Sequence, residues 1–165
     1  SQAVEEYEAG DSDTKPAPLR GDRAVVVNVT SKTYGTDVRN DEVSNLIFAN
    51  TSLPARMTDT FLTMHDNQRA VSVKVYESDF TDPAKDKVVK DKFCTLLENK
   101  TLQVTGDYPK GTQITVTFNI SNEGILSVNA CIGSDELDFA LKIAGVKSNA
   151  ELSQSKNMVA KARVE

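Results

Sequence analysis

The chain has a single histidine, two cysteines and no long apolar run, and each scarcity removes a class of function. A membrane-spanning helix needs about 18 consecutive apolar residues, and none occurs. No order of basic, apolar and small residues marks a secretory signal. His65 is followed by Asp66, but no serine or cysteine is placed by a motif to use it as a base, so it reads as a solvated loop histidine. Cys94 and Cys131 belong to no CxxC and neighbour no histidine pair, which leaves metal binding unsupported; they read as free thiols in strands. The nearest thing to a phosphate loop, Tyr108-Pro109-Lys110-Gly111-Thr112, lacks the first glycine and a following helix, and reads as a turn. The acid pairs Asp41-Glu42 and Asp135-Glu136 sit in charged turns, where solvation is their ordinary role. No catalysis is expected of this chain.

What is present suits one soluble β domain. A length of 165 residues allows a single core that buries roughly two thirds of the surface of the unfolded chain. The net charge of −5, with lysines interleaved among acids, offers no concentrated basic face for nucleic acid. Residues 1–23, with Glu5, Glu6, Glu8, Asp11, Asp13, Pro16 and Pro18, cannot bury enough apolar area to fix their backbone and read as a disordered acidic linker. The first residue is Ser, so the natural chain is expected to begin well upstream. At Ala24 the character changes to Ala-Val-Val-Val-Asn-Val, a β-branched run read as a strand or a docking segment.

From there period-two alternation dominates. Val71, Val73 and Val75 oppose Ser72, Lys74 and Tyr76; Ile114, Val116, Phe118 and Ile120 oppose Thr115, Thr117 and Asn119. Leu126, Val128, Ala130 and Ile132 form a third series, and Leu137, Phe139, Leu141 and Ile143 a fourth. Such spacing puts one set of side chains into a core. Ser121-Asn122-Glu123-Gly124 supplies a hairpin turn between two of these strands. Residues 45–50 and 56–64 also read as strands, with Pro54 between them, while the charged residues 79–92 read as a loop. Seven or eight short strands suggest an antiparallel sandwich. Ser148 and Glu151 form a capping box for a C-terminal helix carrying Leu152 and Val159, so residues 147–165 read as helical.

The string Asp66-Asn67-Gln68-x-x-Val71-x-Val73-x-Val75 is distinctive. It occurs in order with Asn50-Thr51-x-Leu53-Pro54 before it, and with Pro109-x-Gly111, Gln113-Ile114-x-Val116-x-Phe118 and Gly124-Ile125-Leu126-x-Val128 after it. Over residues 24–165 the chain resembles the substrate-binding domain of the seventy-kilodalton heat-shock chaperones. That resemblance implies a mainly β fold: a sandwich of two four-stranded antiparallel sheets over residues 24–146 and the start of a helical lid over 147–165. It implies a channel that holds extended polypeptide rich in Leu, Ile and Val. The corresponding pocket residues are Phe61, Val71, Val73, Ile114 and Val116, with Thr36 at the rim. Gly35, Asp37, Val38 and Leu62 would hold the peptide backbone, and Arg39 and Met64 would arch over it. Val25, Val26, Val27 and Asn28 fall on the interdomain linker.

By the same resemblance, ATP and Mg would belong to an upstream ATPase domain, and the partners would be unfolded clients, a J-domain co-chaperone and a nucleotide exchange factor, in the cytoplasm. Neither nucleic acid nor membrane is expected. Asn28 in the linker, Lys32 and Thr36 in the first loop, and Arg39 in the arch depart from the family pattern and mark a divergent member. A secreted adhesion or carbohydrate-binding sandwich is the other reading, because Asn28, Asn50, Asn99 and Asn119 each begin an Asn-x-Ser/Thr sequon. An oxidised Cys94–Cys131 pair would favour it.

Overall fold

The computed structural model describes residues 26–149. The linker expected over 1–23, together with Val25, and the helix expected after 149 lie outside the described residues. The strands are β1 Val27–Thr30, β2 Thr33–Val38, β3 Glu42–Ile47, β4 Ala55–Leu62, β5 Ala70–Ser78, β6 Val88–Lys90, β7 Thr95–Gln103, β8 Gln113–Ile120, β9 Ile125–Ile132, β10 Asp135–Lys142 and β11 Val146–Asn149. A short 3-10 turn, Asp91–Phe93, joins β6 to β7. The compact unit that holds the core runs from Asn28 to Lys147.

The class is mainly β and antiparallel, as expected. One sheet has four strands in the order β10-β9-β8-β4, the other five in the order β6-β3-β2-β5-β7, and β1 with β11 makes a two-stranded ribbon. The fifth strand is β6, in a stretch read from sequence as loop. Its Val88 and Val89 are exposed or half-buried, so they leave no alternating signature. What makes β6 a strand is pairing with β3, Val43 opposite Val89 and Ser44 opposite Val88.

Two further expectations need correction. The strand expected over 45–50 begins earlier, at Glu42, because the turn of Arg39, Asn40 and Asp41 folds it back on β2, with positive φ at Asn40 and Asp41; Asn50, also at positive φ, lies in the bend beyond it. Residues 147–149 belong to β11 rather than to a helix, so Ser148 sits in an extended strand and cannot be the cap of a helix starting at 149. The β-branched run read as a strand or a docking segment does open a strand, with Val27 and Asn28 the first residues of β1, while Val26 is exposed.

The alternating runs behave as their spacing dictates. Ile114, Val116, Phe118 and Ile120 of β8 and Leu126, Val128, Ala130 and Ile132 of β9 are all buried, and the register pairs Phe118 with Val128 and with Met57 of β4. They meet Tyr34, Val73, Val75 and Leu102 of the five-stranded sheet in one hydrophobic cluster. On β10, an edge strand, Leu137, Phe139 and Leu141 are only half-buried against that cluster. Ser121 and Gly124 close the β8–β9 hairpin as expected, with Gly124 N–H donating to Ser121 O at 3.0 Å and Gly124 at φ +83°. Cys94 and Cys131 are free thiols.

Gly35 lies where β2 slips register, between Asn45 on one side and Tyr76 on the other. A β-carbon there would stand 2.6 Å from Ser44 O and from Asn45 Oδ1, closer than carbon and oxygen tolerate. Because Ser44 O is backbone, the sheet itself must shift. Gly35→Ala is expected to lower unfolding free energy by about 1–3 kcal/mol, read as a displaced urea midpoint; an unmoved midpoint would refute this packing.

Candidate functional site

The distinctive Asp66-Asn67-Gln68 string builds a loop. Asn67 takes φ 53°, and its N–H donates to Tyr108 O at 2.8 Å. Asp66 Oδ1 accepts from Lys110 N–H at 2.7 Å. Gln68 spans the loop, accepting from Met64 N–H at 2.9 Å and donating to Ala70 O at 3.0 Å. Thr63 is pinned from the same side, its N–H donating to Thr112 O at 2.9 Å while its hydroxyl accepts from Thr112 N–H at 3.0 Å. These bonds satisfy backbone groups that a loop would otherwise leave to water, and they fix the end of β4 and the start of β5. The Tyr108–Thr112 turn is thus a brace for that loop. It feeds strand β8 rather than a helix, so it offers no cradle for nucleotide phosphates.

The five residues expected to line a pocket belong to one cluster, but they divide. Val73, Ile114 and Val116 are enclosed in the core, and Phe61 and Val71 are half-buried and pack against them. Phe61 stands opposite Ile114 on β8, and Val71 opposite Leu102 on β7. Leu62 and Met64 are exposed, at 59% and 45% of their surface. Thr36 is buried, in register with Ser44 and Val75. Val38, opposite Glu42, is half-buried. Arg39 is exposed at the tip of the β2–β3 turn. Asp37 acts as a clasp. Its Oδ1 accepts from Lys74 N–H at 2.8 Å and its Oδ2 from the Ser72 hydroxyl at 3.0 Å, which ties the end of β2 to β5 beside Val71 and Val73.

A polar bridge that the sequence did not announce joins the two sheets next to these residues. Lys87 Nζ donates to Asp59 Oδ2 at 3.0 Å, to Ser44 Oγ at 3.1 Å and to Asn45 O at 2.6 Å. Ser44 Oγ donates in turn to Asp59 Oδ2 at 3.3 Å. Burial alone would raise the Asp59 carboxyl, but the Lys87 ammonium, the Thr60 N–H and the Ser44 hydroxyl together hold it below the usual carboxylate value. The one available signal was parity: Asp59 occupies the same face of β4 as Phe61, and a carboxylate there requires a partner.

The family model described as Hsp70 protein matches residues 17–165. The chain belongs to the Hsp70 family. Among Hsp70 relatives, it is 37% identical over 115 residues to "Heat shock 70 kDa protein, mitochondrial" of Dictyostelium discoideum, a match covering 68% of this chain and 16% of the relative. It is 32% identical over 123 residues to "Heat shock cognate 70 kDa protein 3" of the same organism, covering 69% of this chain and 18% of the relative. The chain therefore spans less than a fifth of the Hsp70 relatives it matches. Membership of the Hsp70 family displaces the reading as an adhesion or carbohydrate-binding module. Among the described residues no helix is long and apolar enough to cross a membrane.

Proposed function

We propose that this chain is the peptide-holding β-sandwich of an Hsp70 chaperone and that it binds extended, apolar polypeptide segments at the end of the sandwich formed by the β2–β3 turn and the β4–β5 loop. The observation that carries the reading is the division of the apolar cluster: Phe61 and Val71 reach the surface while Val73, Ile114 and Val116 back them from the core. In this reading Phe61 and Val71 move aside for a client side chain, and Val73, Ile114 and Val116 form the floor beneath it. The exposed Leu62, Met64 and Arg39 then stand where a client backbone passes, and Val38 and the Asp37-braced end of β2 form the opposite wall.

Energetics require both kinds of contact. Burying one leucine is worth about 1.5–3 kcal/mol, whereas micromolar binding needs roughly 8. Hydrogen bonds to the extended backbone must supply much of the remainder, which makes recognition tolerant of sequence. In this reading ATP and Mg bind an upstream domain, a J-domain protein and an exchange factor act on the whole protein, the segment around Val25, Val26, Val27 and Asn28 couples the two parts, and the cytoplasm keeps Cys94 and Cys131 reduced.

The test is a fluorescence-anisotropy titration with a labelled leucine-rich heptapeptide. Saturable binding is expected, with the same affinity in buffer, ATP and ADP. No binding, or a clear response to nucleotide, would overturn this reading.

Arg39 supplies a second expectation. A guanidinium on the turn should favour clients with Asp or Glu beside the apolar centre, by about 0.2–1 kcal/mol because the site is solvated and salt-screened. On a peptide array read at two salt concentrations, Arg39→Met should erase that preference and leave neutral peptides nearly unaffected; an acidic preference that survives would show that Arg39 does not border the client.

A further inference from the structure

The polar bridge between the two sheets lies against the residues of the proposed pocket. At one end, Asp59 stands opposite Val116 on β8 and two residues before Phe61 on the same face of β4, about 6.6 Å along the strand. At the other end, Ser44 stands opposite Thr36 on β2, next to the Asp37 clasp. Phe61 and Val71, the residues that move aside for a client, belong to different sheets. Whatever ties β4 to the five-stranded sheet therefore limits how readily the two can part.

The bridge is built as a unit. Lys87 Nζ has three hydrogens and three acceptors, Asp59 Oδ2, Ser44 Oγ and Asn45 O. Asp59 Oδ1 accepts from Thr60 N–H at 2.9 Å. Lys87 is itself anchored by Asn45, which is 1% exposed and donates from its backbone N–H to Lys87 O and from Nδ2 to Asp86 O, each at 2.8 Å. Among the described residues this is the only polar tie between β4 and the five-stranded sheet; Ala55 and Phe61 of β4 otherwise pack on the hydrophobic cluster. Apolar packing has no direction and yields gradually, whereas directed bonds weaken steeply once their geometry is lost. The Lys87 and Asp59 side chains are 48% and 32% exposed, so water can replace either partner and the bridge can open without unfolding the sandwich.

We propose that the Lys87–Asp59–Ser44 bridge is a side clasp of the peptide channel, which opens for a client segment to enter or leave and closes again once the segment is seated. It sets the rate of exchange rather than the affinity, because it is closed both in the empty channel and in the filled one. The clasp rests on the peptide-holding function proposed above.

The test follows the labelled leucine-rich heptapeptide on the full chain by stopped-flow anisotropy, association by mixing and dissociation by displacement with unlabelled peptide. Lys87→Met and Asp59→Asn should each raise both rate constants about three- to tenfold, while Kd moves less than twofold. Adding Lys87→Met to Asp59→Asn should change little further, because the two residues act through one bond. Lys90→Met is the control: it removes the ion pair with Glu42 at 3.4 Å, which stays within the five-stranded sheet, and should leave both rates at the parent values. Circular dichroism establishes that each variant is folded, and Asp59→Asn, which keeps the shape of the side chain, carries the test if Lys87→Met is not. Unchanged rates in the folded clasp variants, a rise in only one of the two rate constants, or an equal response to Lys90→Met would overturn the clasp and leave peptide holding intact. Failure of the parent chain to bind the heptapeptide would instead overturn the peptide-holding reading, and the clasp with it.

Discussion

Phe118→Ala is expected to lower the unfolding free energy by about 3–5 kcal/mol, the largest single effect foreseen for this chain. Phe118 is completely enclosed, between Met57 and Val128 in the register of the four-stranded sheet and against the core side chains of the other. Truncation removes a ring that strands on both sides hold rigidly, so the sheets cannot collapse to fill the space. With a whole-domain stability of about 5–15 kcal/mol, the variant stands near the limit of folding. Urea unfolding should show a lower midpoint with an unchanged slope. Phe118→Leu, which keeps most of the volume, should cost about 1.5 kcal/mol or less and remain measurable if the alanine variant does not fold. A loss below about 1 kcal/mol for Phe118→Ala would mean that β8 is not central to the core.

Val71→Phe carries the second large effect, on binding rather than on stability. Val71 is half-buried and lies on the surface side of the cluster, so a larger side chain can project outward instead of being forced into the core. It would then occupy the space that a client leucine needs, at a cost of about the 1.5–3 kcal/mol such a side chain contributes. That is a roughly ten- to hundredfold loss of affinity for the leucine-rich heptapeptide. Circular dichroism should show the β signal of the parent chain. Unaltered peptide affinity in the folded variant would remove Val71 from the pocket, and with it the main support for the channel.

The contrast between β8 and β7 shows what local pattern can and cannot reveal. β8, β9 and β10 alternate cleanly because each has one face on the core. β7 is just as long as β5, yet its pairing slips at Val75 and Tyr76 and it lies on a sheet edge. The slip breaks the period of two: Leu96 and Leu97 follow each other, and only Leu102 is fully buried. β6 is three residues long and owes its form to β3, a contact distant in sequence. The candidate site divides in the same manner. The Asp66-Asn67-Gln68 string stood out by family resemblance, and its residues prove to serve local backbone geometry, whereas the Lys87–Asp59 bridge depends on a lysine from a segment with no period of its own. Ser148 suggested a helix start by its neighbours alone, and β11 overrides that preference through sheet pairing.

The short edge strand β6 has a bearing on solubility. A bare strand edge is a surface on which other chains can stack. Exposed edges recruit further strands and seed fibrils unless they are kept short or charged. β6 is three residues long and is flanked or ended by Lys87, Lys90 and Lys92. At the edge of the other sheet, β10 sets Asp135, Glu136, Asp138 and Lys142 along its length. Each would have to shed water and accept a foreign backbone beside it before a second copy could dock there. Strand addition at these two margins is thereby disfavoured.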